Sequence, residues 1–183
     1  MPQVVTHFLI PALLVAIFRD FYLRKKEKRT FPLHYVFITG IAGLLPDLDF
    51  IVLGILSLFG AGATYSDVHR TFSHSLLLPL FLFLIAIPLR KVHLPELGKH
   101  RLNLGIIFMV LAFGIFTHTA LDATLQGKVA LLTPISNIWV GGDLLQIILP
   151  EVYRPMSTAL LDAGTFVLWI LYLKFRHKIT DVI

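Results

Sequence analysis

The feature that most constrains this chain is a series of long apolar runs that are almost free of charge. Five of them cover residues 3–18, 31–45, 71–89, 102–121 and 156–173. Charged residues make up only 15% of the chain, against about 25% in soluble domains. A helix needs ~20 mostly apolar residues to cross a hydrocarbon core ~30 Å thick. We therefore predict an all-α, polytopic membrane helical bundle of about five spans, forming one domain over residues 1–183.

The second run is expected to break at Pro46. At ~1.5 Å per residue, residues 31–45 cover roughly 22 Å, which brings Asp47 close to the far side of the core. The residue before a proline disfavours helix, so the helix should end or break near Leu45. The apolar piece at 50–59 is too short to span, and we expect a re-entrant or interfacial continuation.

The basic residues predict the topology. On one side of the expected spans lie 13 of the 16 Lys and Arg residues, and only Arg70, Lys128 and Arg154 fall on the other. The positive-inside rule then places the N-terminus outside and the C-terminus in the cytoplasm of a multi-pass inner-membrane protein.

The first run lacks the features of a cleaved signal peptide, so we expect it to be retained. The net charge of +5 is explained by this topology, so membrane lipids, not nucleic acid, are the expected partners; the oligomeric state stays open.

Polar motifs lie at the predicted external ends of the runs. They are His7, PDLD at 46–49, HRTFSH at 69–74 and HTALD at 118–122. Each charged residue within a span costs about 2.5–3.5 kcal/mol on insertion scales, so these groups need a partner. With no cysteine in the chain, disulfides and thiolate metal sites are excluded. A metal ion shared by His and Asp side chains at the external membrane face is the expected solution.

Two of the motifs carry histidines. His118 and Asp122 are four apart and share one face of a helix, as two ligands of one ion would; a helix-end Asp beside an interfacial His is the alternative. His69 and His74 are five apart, roughly 140° on a straight helix. They can converge only if His69 lies on the loop before the helix, an arrangement that an N-cap at Ser73 would support. A solvated loop is the alternative for this pair.

The remaining candidates are carboxylates, one arginine and a lone histidine. After Pro46 the chain can turn, so that one of Asp47 and Asp49 binds metal and Asp49 acts as general base or second ligand; exposed carboxylates at a helix break are the alternative. Arg70 is placed to donate to an anionic, phosphate-like substrate. His7 is either a ligand or an interfacial imidazole. No role is assigned to the remaining histidines, nor to Glu96, Asp143, Glu151 and Asp162.

Taken together, these motifs resemble the YdjM-type family of inner-membrane-associated proteins, described as metal-dependent hydrolases, over about residues 5–135. That family resembles zinc-dependent phospholipase C and the fungal single-strand nucleases, helical enzymes that cleave phosphoesters with clustered zinc ions. The resemblance implies the ligands His7, Asp47, His69, His118 and Asp122, with Asp122 bridging two ions. The chain departs from the pattern because no later His or acidic residue matches a third zinc site, which implies two ions or one. Phe50 also stands where family members often carry His after PDxD.

The sequence thus predicts a membrane-embedded, phospholipase-like metal-dependent hydrolase. Its proposed site combines His7, Asp47, Asp49, His69, His74, His118 and Asp122 as metal ligands with Asp49 and Arg70 as catalytic groups. Nitrogen and oxygen ligands suit zinc and also accept manganese or iron. The expected reaction is hydrolysis of a phosphoester in a lipid or lipid-linked substrate by water that the metal activates. A metal-ion transporter and a non-catalytic metal-binding scaffold are the alternatives.

Overall fold

The computed structural model describes residues 3–23, 31–60, 62, 64, 69–95, 101–136 and 138–177. Over these residues it contains no strand and seven α-helices: α1 (Val4–Leu23), α2 (His34–Ala42), α3 (Asp49–Leu58), α4 (Leu77–Leu89), α5 (Leu104–Leu125), α6 (Leu144–Ile148) and α7 (Ser157–His177). Short 3-10 turns occupy Pro46–Leu48, Phe72–His74 and Glu151–Met156. The predicted all-α fold is confirmed. The basic block at 24–29, with Lys99 and Lys178, lies outside the described residues.

Helix α5 is the element around which the bundle is built. It packs against α1, α2 and α4, while α1 also contacts α2 and α7. A glycine allows one of these close approaches: a Cβ on Gly114 would lie 2.6 Å from both the Ala42 Cβ and the Thr39 carbonyl oxygen. The backbones of α2 and α5 can therefore meet beside the point where α2 ends.

In the part of the chain that the structure describes, three or four helices are long and apolar enough to cross a membrane, against about five predicted spans. By length and composition, α1, α5 and the segment Glu151–Arg176 qualify, and α2 with Pro46–Leu58 forms a fourth candidate if this pair, bent by 46°, is one span. The break in the second helix is confirmed. The run at 71–89 yields only the 13 residues of α4, about 20 Å long. The expected span is shortened because a 3-10 turn at Phe72–His74 and an extended Ser75 come before the helix.

The helix ends form two polar regions at opposite ends of the bundle. The histidine pole contains the N-terminal ends of α1 and α4 and the C-terminal ends of α2 and α5. At the opposite end, the basic pole, Arg19 donates to the Phe31 carbonyl at 2.9 Å and Arg176 pairs with Asp20 at 2.8 Å. The backbone N–H of Asn103 donates to the Tyr35 hydroxyl there at 2.7 Å. The described basic and histidine-rich motifs are thus separated as the topology requires; which pole faces outside stays a prediction.

Candidate metal centre

His118 is fixed by the end of α2. Its Nδ1 lies 2.7 Å from the carbonyl oxygen of Gly43, and because a carbonyl only accepts, Nδ1 carries the hydrogen and Nε2 presents a bare lone pair. A ligating histidine usually has its second nitrogen held in this way. Gly43 is needed for the arrangement, because a Cβ there would collide with the carbonyl oxygen of His7. His118 is fully buried.

His74 is fixed by the 3-10 turn before α4. The Ser73 hydroxyl donates to Asp49 Oδ2 at 3.2 Å, so it accepts from His74 Nδ1 at 2.9 Å. His74 Nε2 is then also bare, and it lies 3.1 Å from His118 Nε2. The expectation that Ser73 caps the helix was wrong. Helix α4 begins later, at Leu77, whose N–H donates to the Ser75 hydroxyl at 3.2 Å.

Four ligand atoms converge at this point. Asp47 Oδ1 lies 3.7 Å from His74 Nε2 and 3.5 Å from His118 Nε2, and Asp122 Oδ2 lies 3.4 Å and 3.9 Å from the same two atoms. Ligands of a tetrahedral zinc ion, with bonds of about 2.0–2.1 Å, are about 3.3–3.4 Å apart. The separations bracket this value, so Asp47, His74, His118 and Asp122 could hold one ion. We call these four residues the N2O2 cluster.

A second, adjoining group contains Asp49, His69 and His74. His69 Nδ1 lies 2.9 Å from Asp49 Oδ2, whereas His74 Nδ1 is 3.9 Å from it. His74 could join this group only through the nitrogen that already donates to Ser73. Asp49 Oδ1 is buried and has no hydrogen-bond partner among the described residues. The geometry therefore makes Asp49 and His69 a hydrogen-bonded pair beside the N2O2 cluster.

His7 and Arg70 flank Asp122. His7 Nε2 lies 3.2 Å from Asp122 Oδ1, the oxygen that is not part of the cluster, and its ring lies 3.9 Å from the His118 ring. Arg70 Nε is 3.5 Å from Asp122 Oδ2, and the guanidinium also donates to Gln126. His7 belongs to neither group of convergent atoms. Its ligand role, which requires Asp122 to bridge two ions, stays a prediction.

The electrostatics of the site combine burial with opposite charges. Burial disfavours a charged His74, but its contacts with Asp122 and Asp47 outweigh burial and raise the pKa of His74 above its ordinary value. A proton on His74 Nε2 would therefore compete with a metal ion for the same lone pair.

The sequence model of the YdjM inner membrane protein family matches residues 1–179. The chain belongs to this family. No curated protein and no solved structure matches it. The family and the apolar helices together establish a membrane protein, and the expected family resemblance is confirmed and extended to α7. No match links this YdjM-family chain to phospholipase C or to the nucleases, and none assigns it a reaction.

The match to the family includes α7. This helix carries Asp162, a residue to which the sequence analysis assigned no role. Asp162 accepts from the backbone N–H of Gln3 at 3.0 Å, and from the N–H and hydroxyl of Thr6 at 2.8 and 2.6 Å. It therefore caps the first turn of α1, the turn that carries His7. The signal in the sequence was a lone Asp within an apolar run, which must find a partner. That partner lies more than 150 residues away and no local pattern reveals it.

Gln126 was missed as well. Its amide nitrogen donates to Asp122 Oδ1 at 3.1 Å and to the side-chain oxygen of Gln3. Together with His7 and Arg70 it fixes the orientation of the Asp122 carboxylate. An amide one turn beyond Asp122 on α5 could have been singled out from its i, i+4 spacing.

Proposed function

We propose that this YdjM-family protein binds a divalent metal ion, preferably zinc, through the N2O2 cluster and hydrolyses a phosphoester of a lipid or lipid-linked substrate. The observation that carries the proposal is the pair of bare imidazole nitrogens, His74 Nε2 and His118 Nε2, 3.1 Å apart. Two facing lone pairs repel unless a proton or a metal ion lies between them, and the two carboxylates beside them favour the ion of higher positive charge. Two carboxylates complete a ligand set without thiolate, which suits zinc and also accepts manganese or iron.

The flanking residues supply the groups that hydrolysis needs. A bound divalent ion would lower the pKa of water to ~7 and polarise the phosphoester. Asp49 Oδ1, which is buried and has no described partner, is the proposed acceptor of the water proton. His69, which lies 2.9 Å from Asp49 and is partly exposed, is the proposed donor of a proton to the leaving oxygen. The guanidinium of Arg70 has further N–H groups for a phosphate oxygen.

A second ion is the main variant of this mechanism. If Asp49, His69 and His74 bound it, Asp49 would be a ligand and not a base. The hydrogen bond from His74 Nδ1 to Ser73 opposes this variant, because a metal ion would have to displace that proton. One ion per chain is therefore our expectation, with two as the alternative.

The surroundings of the site favour a substrate from the lipid phase. Helix α3 begins at Asp49 and exposes Phe50, Ile51, Val52 and Ile55, side chains that are stable in hydrocarbon and not in water. An amphiphile in the bilayer can reach the site past this helix. A water-soluble polyanion such as nucleic acid would instead meet an apolar surface beside the site.

The two alternatives differ from the proposal in what they require elsewhere. A transporter needs ligands along a path through the bundle, and both groups of possible ligands in the described residues lie at the histidine pole. A scaffold needs the metal but no turnover. Metal binding without phosphoester hydrolysis would therefore favour the scaffold, and metal flux across liposomes would favour the transporter.

The test begins with metal content. We expect elemental analysis of the purified, zinc-loaded protein to give about one ion per chain and His118→Ala to lose it, because that variant removes one of four ligands. His93→Ala, which changes an exposed histidine away from the site, should keep its metal. Phosphate release from a long-chain phosphoester should follow the same pattern. Full metal content in His118→Ala would refute the proposal.

A further inference from the structure

A large apolar groove lies in the helical part of the bundle, bordered by α1, α4 and α5. Its volume is about 920 Å³, near the upper end of the ~300–1,000 Å³ range of ligand pockets. Its walls include Leu14 and Phe18 of α1, Leu80 of α4 and Phe113 of α5. The lining is almost wholly apolar, and among its residues only Tyr22 carries a polar group on its side chain.

One end of the groove adjoins the metal centre. Leu76 lines the groove and follows the cluster residue His74 by two positions, at most ~7 Å of chain. On α1, Leu14 is seven residues beyond His7, so the two side chains share one face of the helix about two turns apart. A molecule in the groove therefore has one end within reach of the N2O2 cluster.

The other end of the groove lies towards the basic pole. Ile106 lines it there, and its N–H is capped by the Asn103 side chain at the start of α5. From Ile106 to Phe116 the α5 wall extends about 15 Å. A lipid whose head group lies at the histidine pole has its chain directed towards the bilayer centre. The groove has that direction, which is the reason for assigning it to a lipid chain.

We propose that the groove binds one alkyl chain of a phosphate-bearing lipid, while the phosphate lies at the N2O2 cluster beside Arg70. This inference rests on the proposed function and adds a substrate-binding element to it. For an ester that reaches the groove from water as a monomer, each methylene group that the groove takes up raises affinity roughly fourfold. Substrate preference should accordingly increase with chain length until the groove is filled.

The experiment uses the full zinc-loaded chain in detergent. Leu80→Trp on α4 and Leu14→Trp on α1 narrow the groove from two walls, so a folding failure of one variant leaves the other. The matched control is Leu84→Trp, the same substitution at a position on α4 with similar exposure, 54% against 52% for Leu80. Leu84 does not line the groove.

The first measurement compares kcat/KM for a long-chain ester and a methyl ester of the same chromogenic phosphodiester. We expect the groove variants to lower the ratio of long-chain to methyl ester roughly tenfold, the equivalent of losing about two methylene contacts. The Leu84→Trp control should leave the ratio unchanged within about twofold. An unchanged ratio in both groove variants would overturn the proposal.

The second measurement does not need turnover. A long-chain alkyl phosphonate carrying a diazirine on its chain should crosslink to groove residues such as Met109, and Leu80→Trp should suppress these crosslinks. The matching alcohol probe should label the groove weakly. Crosslinks spread evenly over the outer faces, or equal labelling by the alcohol, would show ordinary lipid contact and overturn the proposal.

The two measurements separate this proposal from the proposed function. If neither ester is hydrolysed, the hydrolase proposal fails, and the crosslinks alone decide whether the groove takes a phosphate-bearing lipid. If the methyl ester is hydrolysed as well as the long-chain ester and the groove is not labelled, the hydrolase proposal stands and the groove proposal fails.

Discussion

The two poles of the bundle place polar side chains in membrane-spanning helices for different reasons. At the basic pole, Asp20 accepts from Arg176 at 2.8 Å and from Tyr172 at 3.0 Å, so donors and acceptors are matched within the protein. At the histidine pole, two carboxylates and two bare imidazole nitrogens face one another. Matched pairs hold helices together, whereas four acceptor atoms that converge on one point favour a cation there, even though donors flank Asp122. This difference distinguishes a structural cluster from a binding site.

The comparison is tested most severely by exchanging a carboxylate for its amide at each pole. Asp122→Asn keeps the shape but removes the charge, and we expect metal affinity to fall at least roughly 100-fold, since it changes a ligand and not an outer partner. Asp20→Asn should leave metal content unchanged and lower the melting temperature only slightly. Both are measured by elemental analysis and thermal unfolding in detergent. Equal metal loss in the two variants would contradict the distinction between a structural cluster at the basic pole and a binding site at the histidine pole.

The next largest effect should come from the close approach of α1 and α2. Gly43→Ala places a Cβ against the His7 carbonyl oxygen, and we expect it to lower the free energy of unfolding by about 2 kcal/mol, as overpacking does. It should also displace the carbonyl that orients His118 and weaken metal binding. The control is Gly54→Ala on α3, where an added Cβ meets nothing within 4 Å. If Gly43→Ala behaved like the control, the described approach would be incorrect.

A smaller effect is expected from the residue that orients His74. Ser73→Ala removes the acceptor for His74 Nδ1, and we expect metal affinity to fall roughly tenfold, the lower end of the range for outer-shell partners. Ser57→Ala removes an exposed hydroxyl that bonds only within α3 and should have no effect. Competition with a chelator measures both. Wild-type affinity in Ser73→Ala would show that another group sets the tautomer of His74.

The smallest effect should come from the cap on α1. Asp162→Ala removes the acceptor for the N–H groups of Gln3 and Thr6, and we expect a loss of about 1 kcal/mol in unfolding free energy. Metal content should remain that of the wild type, because Asp162 holds the helix and touches no ligand of the N2O2 cluster. Asp143→Ala, which removes an exposed carboxylate, is the control for stability. Loss of metal in Asp162→Ala would indicate that His7, which lies on the capped turn, is a metal ligand.

Much of the architecture could be predicted because its causes are local. Apolar runs and the clustering of Lys and Arg indicated a helical membrane protein, and Pro46 marked the break between α2 and α3. The four polar motifs were identified for the same reason, since a charge in an apolar run is costly wherever the run lies. About five spans were predicted, and three or four helices of the described residues are long and apolar enough to cross a membrane. Helix α4 is not among them, because the turn at residues 72–74 comes before it and leaves it 13 residues long.

The sequence by itself determined the fold class, the broken second helix and the residue types available for a site. Only the tertiary structure decided which nitrogen of His74 and His118 is bare, that Ser73 orients a histidine and caps no helix, and that Asp162 caps α1. The physical reason is the separation along the chain over which each interaction acts. Hydrophobicity and helix periodicity act between neighbours in the chain, whereas the contact between Gly43 and His118 joins residues 75 positions apart. Such contacts arise only when the helices pack.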